Sequence, residues 1–280
     1  MHPSFFAAAA CVILTLGATF QAEARFPRSV TPWAVGTRPP NDFSLRVNGP
    51  VEFFLEDVAG NRTGWDPQTG ARTDFIPGSG YGDEAIEDSE RSWFAYVLGP
   101  SREPYTLQVL GIGQGQLYMS ISFTDAQWGL SRSILRGYVL PGREYTYRLT
   151  YSPEPGASRV EAVTYAFGGF LPPLDAENAR PFKLGSTVPV RFRLARADGG
   201  FHGDVRAELL IRRSAENAPP GEPLDATPAG ATNQGNLFRY DPAEDLYVYN
   251  LSTKGMGPGM WELTVRLDDG AEHTVGFGLQ

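Results

Sequence analysis

The sequence predicts an all-β protein with two immunoglobulin-like β-sandwich domains in tandem after a signal peptide. Short segments in which apolar and polar residues alternate recur from Asp42 onward, and turn-forming residues separate them. Apolar residues at helical spacing are hard to find in the same stretch. Several short strands in each half, without intervening helices, are typical of sandwich folds.

Residues 1–24 have the features of a signal peptide. An apolar run from Phe5 to Phe20 is followed by Ala22-Glu23-Ala24, the small-x-small pattern that signal peptidase accepts. The run is shorter than the roughly 20 apolar residues of a membrane span, and no later segment is comparable. We therefore predict a secreted, periplasmic or cell-surface protein with no transmembrane segment. A lipoprotein signal at Ala8-Ala9-Ala10-Cys11 is the alternative, although almost no hydrophobic run precedes that cysteine.

Charge limits the possible partners of the protein, and cysteine content limits the sources of its stability. The chain has 32 acidic and 24 basic residues, and removing residues 1–24 takes away one acid and no base, which leaves a net charge of 24 − 31 = −7. An acidic chain of this kind is a poor partner for nucleic acid. The single cysteine lies within the predicted signal peptide. The mature chain would then have no disulfide, and its stability would depend on packing.

Proline and glycine clusters indicate the domain boundaries. Residues 25–41 contain four prolines and no apolar alternation, which predicts a Pro-rich tether. Residues 42–153 are predicted to form the first β-sandwich, 154–164 a linker and 165–280 the second β-sandwich. Each sandwich is long enough to bury a core of its own.

Three local signals predict finer features of the strands. The run Gly111-Ile112-Gly113-Gln114-Gly115, which strands flank on both sides, predicts a hairpin turn. Pro189 interrupts an alternating run and removes one ladder donor, which predicts an edge strand. Asp269-Gly270 lies between two alternating runs and predicts the turn of a final hairpin.

Three spaced segments of the second half share one family pattern: Phe182 to Leu194, Tyr240 to Tyr249 and Trp261 to Val275. Together they resemble the bacterial PxKF domain, a module at the C-terminal end of exported proteins. Arg191 stands where the family has lysine, which keeps the charge, and the cysteines that many members carry are missing. The resemblance covers about residues 165–280. It implies an immunoglobulin-like module with no activity attached to the family itself, and it assigns no family to the first half.

Few side chains of the sequence have the spacing of a catalytic site. Once His2 leaves with the signal peptide, only His202 and His273 remain, and neither has the spacing of a zinc site or of a His-based triad. Ser79 lies in Gly78-Ser79-Gly80, which is not a Gly-x-Ser-x-Gly nucleophile elbow. We assign no catalytic, cofactor-binding or metal-ligating residue, and we predict that the protein is not an enzyme.

Two acidic stretches are alternatives for a calcium site. The loop Asp83–Glu90 has five carboxylates in eight residues, and Ca²⁺ prefers about six to eight oxygen ligands. The spacing of this loop matches no EF-hand or repeat motif, and a solvated acidic loop is the other interpretation. No cofactor is predicted, with Ca²⁺ at Asp83–Glu90 as the alternative. The second oxygen-rich stretch consists of Asp57, Asn61, Asp66 and Asp74, and turns select Asp and Asn for backbone reasons as well.

The function that these patterns favour is that of a non-catalytic, exported or cell-surface interaction or structural protein, whose partner is an unknown protein or glycan. The first alternative is carbohydrate binding, in which Trp65, Trp128 and Tyr81 form a stacking platform, because tryptophans beside turns are candidates for exposure. The second alternative is a secreted hydrolase or a hydrolase accessory. In that hypothesis the carboxylates of Asp83–Glu90 act as an acid and base pair.

Overall fold

The computed structural model describes residues 41–67, 69–84, 92–174, 181–196, 198–214 and 223–280. Every regular element among these residues is a β-strand, which confirms the predicted all-β fold class. The described residues contain no helix that is long and apolar enough to cross a membrane. The predicted signal peptide and all of the predicted tether except Asn41 lie outside the described residues.

The first sandwich consists of two antiparallel sheets that enclose one core. In that core Phe43, Phe53, Tyr145 and Tyr147 are almost fully buried. Its described strands are β1 (Asp42–Asn48), β2 (Val51–Glu56), β3 (Arg62–Asp66), β4 (Ala71–Asp74), β5 (Ser79–Glu84), β6 (Ser92–Leu98), β7 (Tyr105–Gly111), β8 (Gly115–Thr124), β9 (Leu130–Val139), β10 (Glu144–Thr150) and β11 (Arg159–Ala162). One sheet has the order β5-β6-β1-β8-β9, and the other has the order β11-β10-β7-β2-β3-β4.

The second sandwich has a separate core between two four-stranded sheets. Phe192, Tyr247 and Tyr249 are its largest fully buried side chains, together with Phe277. Its described strands are β12 (Ala166–Phe170), β13 (Thr187–Ala195), β14 (Ala207–Arg213), β15 (Leu224–Asp225), β16 (Arg239–Asp241), β17 (Leu246–Ser252), β18 (Gly259–Leu267) and β19 (Glu272–Leu279). The sheet orders are β12-β13-β17-β16 and β15-β14-β18-β19.

Strand order identifies both sandwiches as immunoglobulin-like. Immunoglobulin domains place strands A, B, E and D in one sheet and strands G, F, C and, in some domains, C′ and C″ in the other. The second sandwich has this order, with β12-β13-β17-β16 as A-B-E-D and β19-β18-β14-β15 as G-F-C-C′. In the first sandwich, β1, β6 and β5 correspond to B, E and D, and β10-β7-β2-β3-β4 to G-F-C-C′-C″. Strand β8 lies beside β1, where immunoglobulin domains have strand A. In the chain, β8 and β9 are inserted between β7 and β10, the strands that correspond to F and G.

Strand β6 turns two of its aromatic side chains outward. It buries Ala95 and Val97 in the core, whereas Phe94 and Tyr96 lie on the outer face. These two rings lie over Gly82 and Gly80 of the neighbouring edge strand β5, and a Cβ built on Gly80 would stand only 2.5 Å from the Tyr96 hydroxyl oxygen. The aromatic rings thus occupy the space that the glycines leave empty.

The structure corrects three predictions about the strands. The predicted linker 154–164 contains β11, which pairs with β10 at the edge of the first sandwich, because Val160 and Ala162 pack against its core. The run Gly111 to Gly115 is not a hairpin turn. It connects β7 and β8, which belong to opposite sheets. Pro189 lies in β13, an interior strand. Strand β12 pairs only with residues 192–195, so the Pro189 end of β13 has a partner on one side alone among the described strands.

The turn between β18 and β19 packs against the first sandwich. The predicted final hairpin is confirmed, but its Asp268 and Asp269 are only 1% exposed. The backbone N–H of Tyr138 donates to the Asp268 carbonyl oxygen at 2.8 Å, and the Tyr147 hydroxyl donates to the Asp269 carbonyl oxygen at 2.7 Å. Arg143 pairs with Asp204 and lies 3.7 Å from the Asp268 carboxylate. A buried polar contact therefore joins the two sandwiches in addition to the chain itself.

Replacing Tyr147 by Phe is expected to destabilise the protein by about 1 to 3 kcal/mol. The substitution keeps the buried ring but leaves the Asp269 carbonyl oxygen buried without its donor from the first sandwich. Chemical unfolding of the Tyr147→Phe variant measures the loss. Tyr118→Phe, whose ring is 37% exposed on β8, is the matched control and should unfold like the wild type. Equal stability of both variants would contradict a role for the Tyr147 hydroxyl in joining the sandwiches.

Candidate functional site

A groove of about 280 Å³ runs across the outer face of the six-stranded sheet of the first sandwich. Four strands contribute to it: β3, β2, β7 and β10. Along β2, β7 and β10 the side chains alternate between core and outer face, because each strand repeats with period two. The residues that line it with outward side chains, here called the sheet-face groove, are Glu52, Phe54, Glu56, Arg62, Trp65, Thr106, Gln108, Leu110 and Glu144.

Strand register places these side chains in rows that cross the sheet. In one row, Leu110 of β7 pairs with Glu52 of β2 on one side and with Glu144 of β10 on the other. Neighbouring strands lie about 4.8 Å apart, so the backbones of the two glutamates are about 10 Å apart with Leu110 between them. The next row is Phe54, Gln108 and Thr146.

Gln108 lies at the middle of its row and is held in place from one side. The Thr146 hydroxyl donates to the carbonyl oxygen of the Gln108 side chain at 3.0 Å. This bond occupies the acceptor end of the Gln108 amide. The side-chain N–H groups of Gln108 donate no hydrogen bond to any described residue, and they face the groove.

Trp65 is partly exposed, and it lies beside Glu52 in the groove. Burial raises the pKa of the Glu52 carboxyl, and the hydrogen bond from the Trp65 side chain opposes that rise. The preceding residue, Gly64, has a φ of +132°, and a Cβ there would stand 2.4 Å from the Phe53 carbonyl oxygen. Only glycine fits this close approach of β3 to β2, which presents Trp65 beside Glu52.

Charges in the groove are predominantly negative. Arg62 is the only cation among the side chains that line it, and its guanidinium lies over the Phe54 ring at 4.7 Å. The Arg62 side chain also pairs with Glu56 at 2.6 Å and with Asp66 at 3.6 Å. Its charge is therefore compensated, and the carboxylates of Glu52 and Glu144 leave the groove acidic.

The predicted aromatic platform is not brought together as one surface. Trp65 lines the sheet-face groove, whereas Trp128 lies in the turn between β8 and β9 of the opposite sheet, where it is 57% exposed and has a φ of +66°. Tyr81 packs against the core, edge-on to Phe53, and stacks on Trp93 at 5.7 Å. Of the three rings, Trp65 alone lines the sheet-face groove.

The two predicted oxygen-rich stretches do not converge on a metal site in the described part of the chain. The Asp83 carboxylate is paired with Arg72 at 3.2 Å, and Glu87, Asp88 and Glu90 lie outside the described residues. In the second stretch, Asp57 accepts hydrogen bonds from the backbone N–H of Asn61 and from its side-chain amide, both at 2.9 Å. Those oxygens serve the turn itself.

The histidines and the loop serine stand apart from one another. His202 contacts the Tyr165 ring edge-on, and His273 stacks on Phe167 at 3.8 Å. Burial lowers the pKa of both imidazoles. The Ser79 hydroxyl lies 2.5 Å from the Thr63 hydroxyl and donates to the Ile76 carbonyl oxygen. No histidine is hydrogen-bonded to Ser79 in the described structure.

No family model matches the chain, and no curated protein sequence matches it. Among solved structures, the chain is similar to trypsin-activated alpha-2-macroglobulin from Escherichia coli, with 12% identity and a TM-score of 0.25. That similarity covers 86% of this chain and 14% of the macroglobulin chain. The immunoglobulin-like assignment rests on strand order, and the resemblance of residues 165–280 to the PxKF domain stays a prediction.

Proposed function

We propose that this protein is a non-catalytic interaction protein of the secretome or cell surface and that the sheet-face groove is its interaction surface. The observation that carries the proposal is the convergence of Trp65, Glu52, Gln108 and Glu144 on one open sheet face, although they come from four strands. A partly exposed ring surrounded by a few oriented polar groups is typical of a ligand site. The predicted signal peptide supports export.

The proposal gives the second sandwich a structural role. Its sequence resembles a C-terminal module without activity of its own, and its β18–β19 turn is buried against the first sandwich. The non-catalytic part is supported by the separation of His202, His273 and Ser79 in the described residues. In the groove, the Glu56 carboxylate is paired with Arg62.

Retention on the envelope of the producing cell tests the proposal. Residues 25–280 are added back to washed cells as the wild type or as Gln108→Arg, which places a long cation in the middle of the groove. Thr274→Arg, on the exposed outer face of β19, is the control for the added charge. We expect Gln108→Arg to reduce retention at least tenfold and Thr274→Arg to leave it unchanged. Equal retention of all three proteins would overturn the groove as the interaction surface.

A further inference from the structure

We infer that the sheet-face groove binds a short, uncharged oligosaccharide. The inference rests on the proposed function and names the ligand class for the same groove. Three properties of the groove lead to it: a partly exposed aromatic ring, hydrogen-bonding groups of both kinds on one face, and an excess of negative charge. No single one of these properties would select a sugar. Together with the interior position of the strands, they disfavour extended peptides, acidic glycans and nucleic acid.

The ring of Trp65 provides the apolar contact. Sugar rings present one face of C–H groups, which packs against the flat face of an indole. The ring lies beside the Glu52 carboxylate, at the close approach of β3 to β2 that Gly64 allows. Phe54 cannot take this part, because the Arg62 guanidinium lies over its ring.

The polar groups match the hydroxyls of a sugar. Each hydroxyl is one donor and two acceptors, so a sugar needs both acceptors and donors in its site. Glu52 and Glu144 offer carboxylate acceptors on either side of Leu110, and Gln108 offers amide N–H donors in the next row. Strand spacing places these groups about 5 to 10 Å apart, which is the scale of one or two sugar rings.

An extended peptide is a poor occupant of this face. Peptides that bind to sheets add a strand to an exposed edge, where backbone N–H and C=O groups are unpaired. The groove lies over β2 and β7, which are interior strands with a neighbour on each side. Their backbone groups are used within the sheet, so only side chains are available to a ligand.

Charge and size limit the sugar further. With Arg62 compensated by Glu56 and Asp66, the carboxylates of Glu52 and Glu144 disfavour uronic acids, sulfated glycans and nucleic acid. The groove volume of about 280 Å³ lies just below the range of about 300 to 1,000 Å³ that is typical of ligand sites. A few neutral sugar units fit this description better than a large charged polymer.

Binding of neutral tetrasaccharides tests the inference directly. Residues 25–280 are screened on an array of neutral, amino-sugar and uronic-acid oligosaccharides, and neutral hits are titrated by calorimetry together with cellotetraose, xylotetraose and maltotetraose. We expect a neutral oligosaccharide to bind and Trp65→Ala to weaken it at least tenfold. Trp65→Phe, which keeps a ring, should retain part of the affinity. Trp128→Ala removes an exposed tryptophan from the opposite sheet and should bind like the wild type.

The possible results separate the ligand class from the proposed function. If no neutral oligosaccharide binds at millimolar concentration, or if Trp128→Ala abolishes binding while Trp65→Ala does not, the inference is wrong. Envelope retention that still depends on Gln108 would then show that the groove has a different partner. Release of shorter saccharides would keep the sugar but refute the non-catalytic function. A thermal unfolding curve of Trp65→Ala that matches the wild type shows that the variant is folded.

Discussion

Replacing Gly137 by Ala is expected to separate the two sandwiches and to destabilise the protein by about 2 to 4 kcal/mol. Gly137 lies in β9, and a Cβ there would stand 2.2 Å from the Asp268 carbonyl oxygen. It would also stand 3.1 Å from the backbone nitrogen of Gly270, on the same turn. Because both neighbours are backbone atoms, no side-chain rotation can relieve the overlap, and the β18–β19 turn must leave the first sandwich.

Three measurements can detect the separation of the two sandwiches. Small-angle scattering should show a larger radius of gyration, limited proteolysis should cut the connection between the sandwiches at residues 163–165 faster, and the thermal midpoint should fall. Gly276→Ala is the control, because a Cβ there meets nothing closer than 3.9 Å in a comparable strand. If Gly137→Ala behaves like Gly276→Ala in all three, the buried contact between the sandwiches does not hold them together.

Raising the pH from about 4 to about 8 is expected to weaken the contact between the sandwiches. Burial raises the pKa of the Asp268 carboxyl to about 7 and that of Asp269 to about 6, well above the roughly 3.9 of an unfolded chain. In the described structure, neither Asp268 carboxyl oxygen has a hydrogen bond of good geometry. The Tyr165 hydroxyl and Arg143 nevertheless lie near enough to oppose part of the rise in pKa.

The sign of the pH effect follows from proton uptake. Because the folded-state pKa values are raised, the folded protein holds protons that the unfolded chain releases at the same pH. The stabilisation from the neutral carboxyls is fully present below about pH 4 and is lost as the pH rises through about 6 to 7. One pH unit of difference in pKa corresponds to about 1.4 kcal/mol, so the two groups together account for several kcal/mol at most.

Replacing Asp268 by Asn is expected to flatten this pH dependence. The uncharged amide keeps the size of the carboxyl without a charge that must be desolvated, so stability at pH 8 should rise relative to the wild type while stability at pH 5 changes less. Urea unfolding at pH 5, 6.5 and 8 measures both. Asp204→Asn is the control, because Asp204 pairs with the same Arg143 but its side chain is 73% exposed. An unchanged slope in Asp268→Asn would refute the assignment of the pH effect to Asp268.

Much of the fold was predictable because strand formation is a local property. Alternation and turn residues predict the existence of strands such as β2 and the final hairpin around Asp269-Gly270 without knowledge of their partners. Sheet membership is not local. The Gly111 to Gly115 run has the composition of a hairpin turn, yet it crosses between sheets, and only the pairing of β7 with β2 and β10 shows this.

The groove could not be predicted for the same reason. The period-two pattern already separates the outward Glu52 and Gln108 from their buried neighbours, and that signal was available in the sequence. What places Glu52, Leu110 and Glu144 in one row is the register of three strands that are distant in the chain. Burial of the acidic turn was equally hidden, because the first sandwich must cover Asp268 of the second before its carboxyl leaves water.

The rings that cover β5 affect how this protein behaves at high concentration. An unpaired edge strand invites other chains to pair with it, and many proteins block such edges with lysine or proline. Here Gly80 and Gly82 give an incoming strand almost no side chain to contact, because Tyr96 and Phe94 already fill the space above them from within the same molecule. The edge thus offers hydrogen bonds with little apolar contact, which disfavours edge-to-edge aggregation of neighbouring copies.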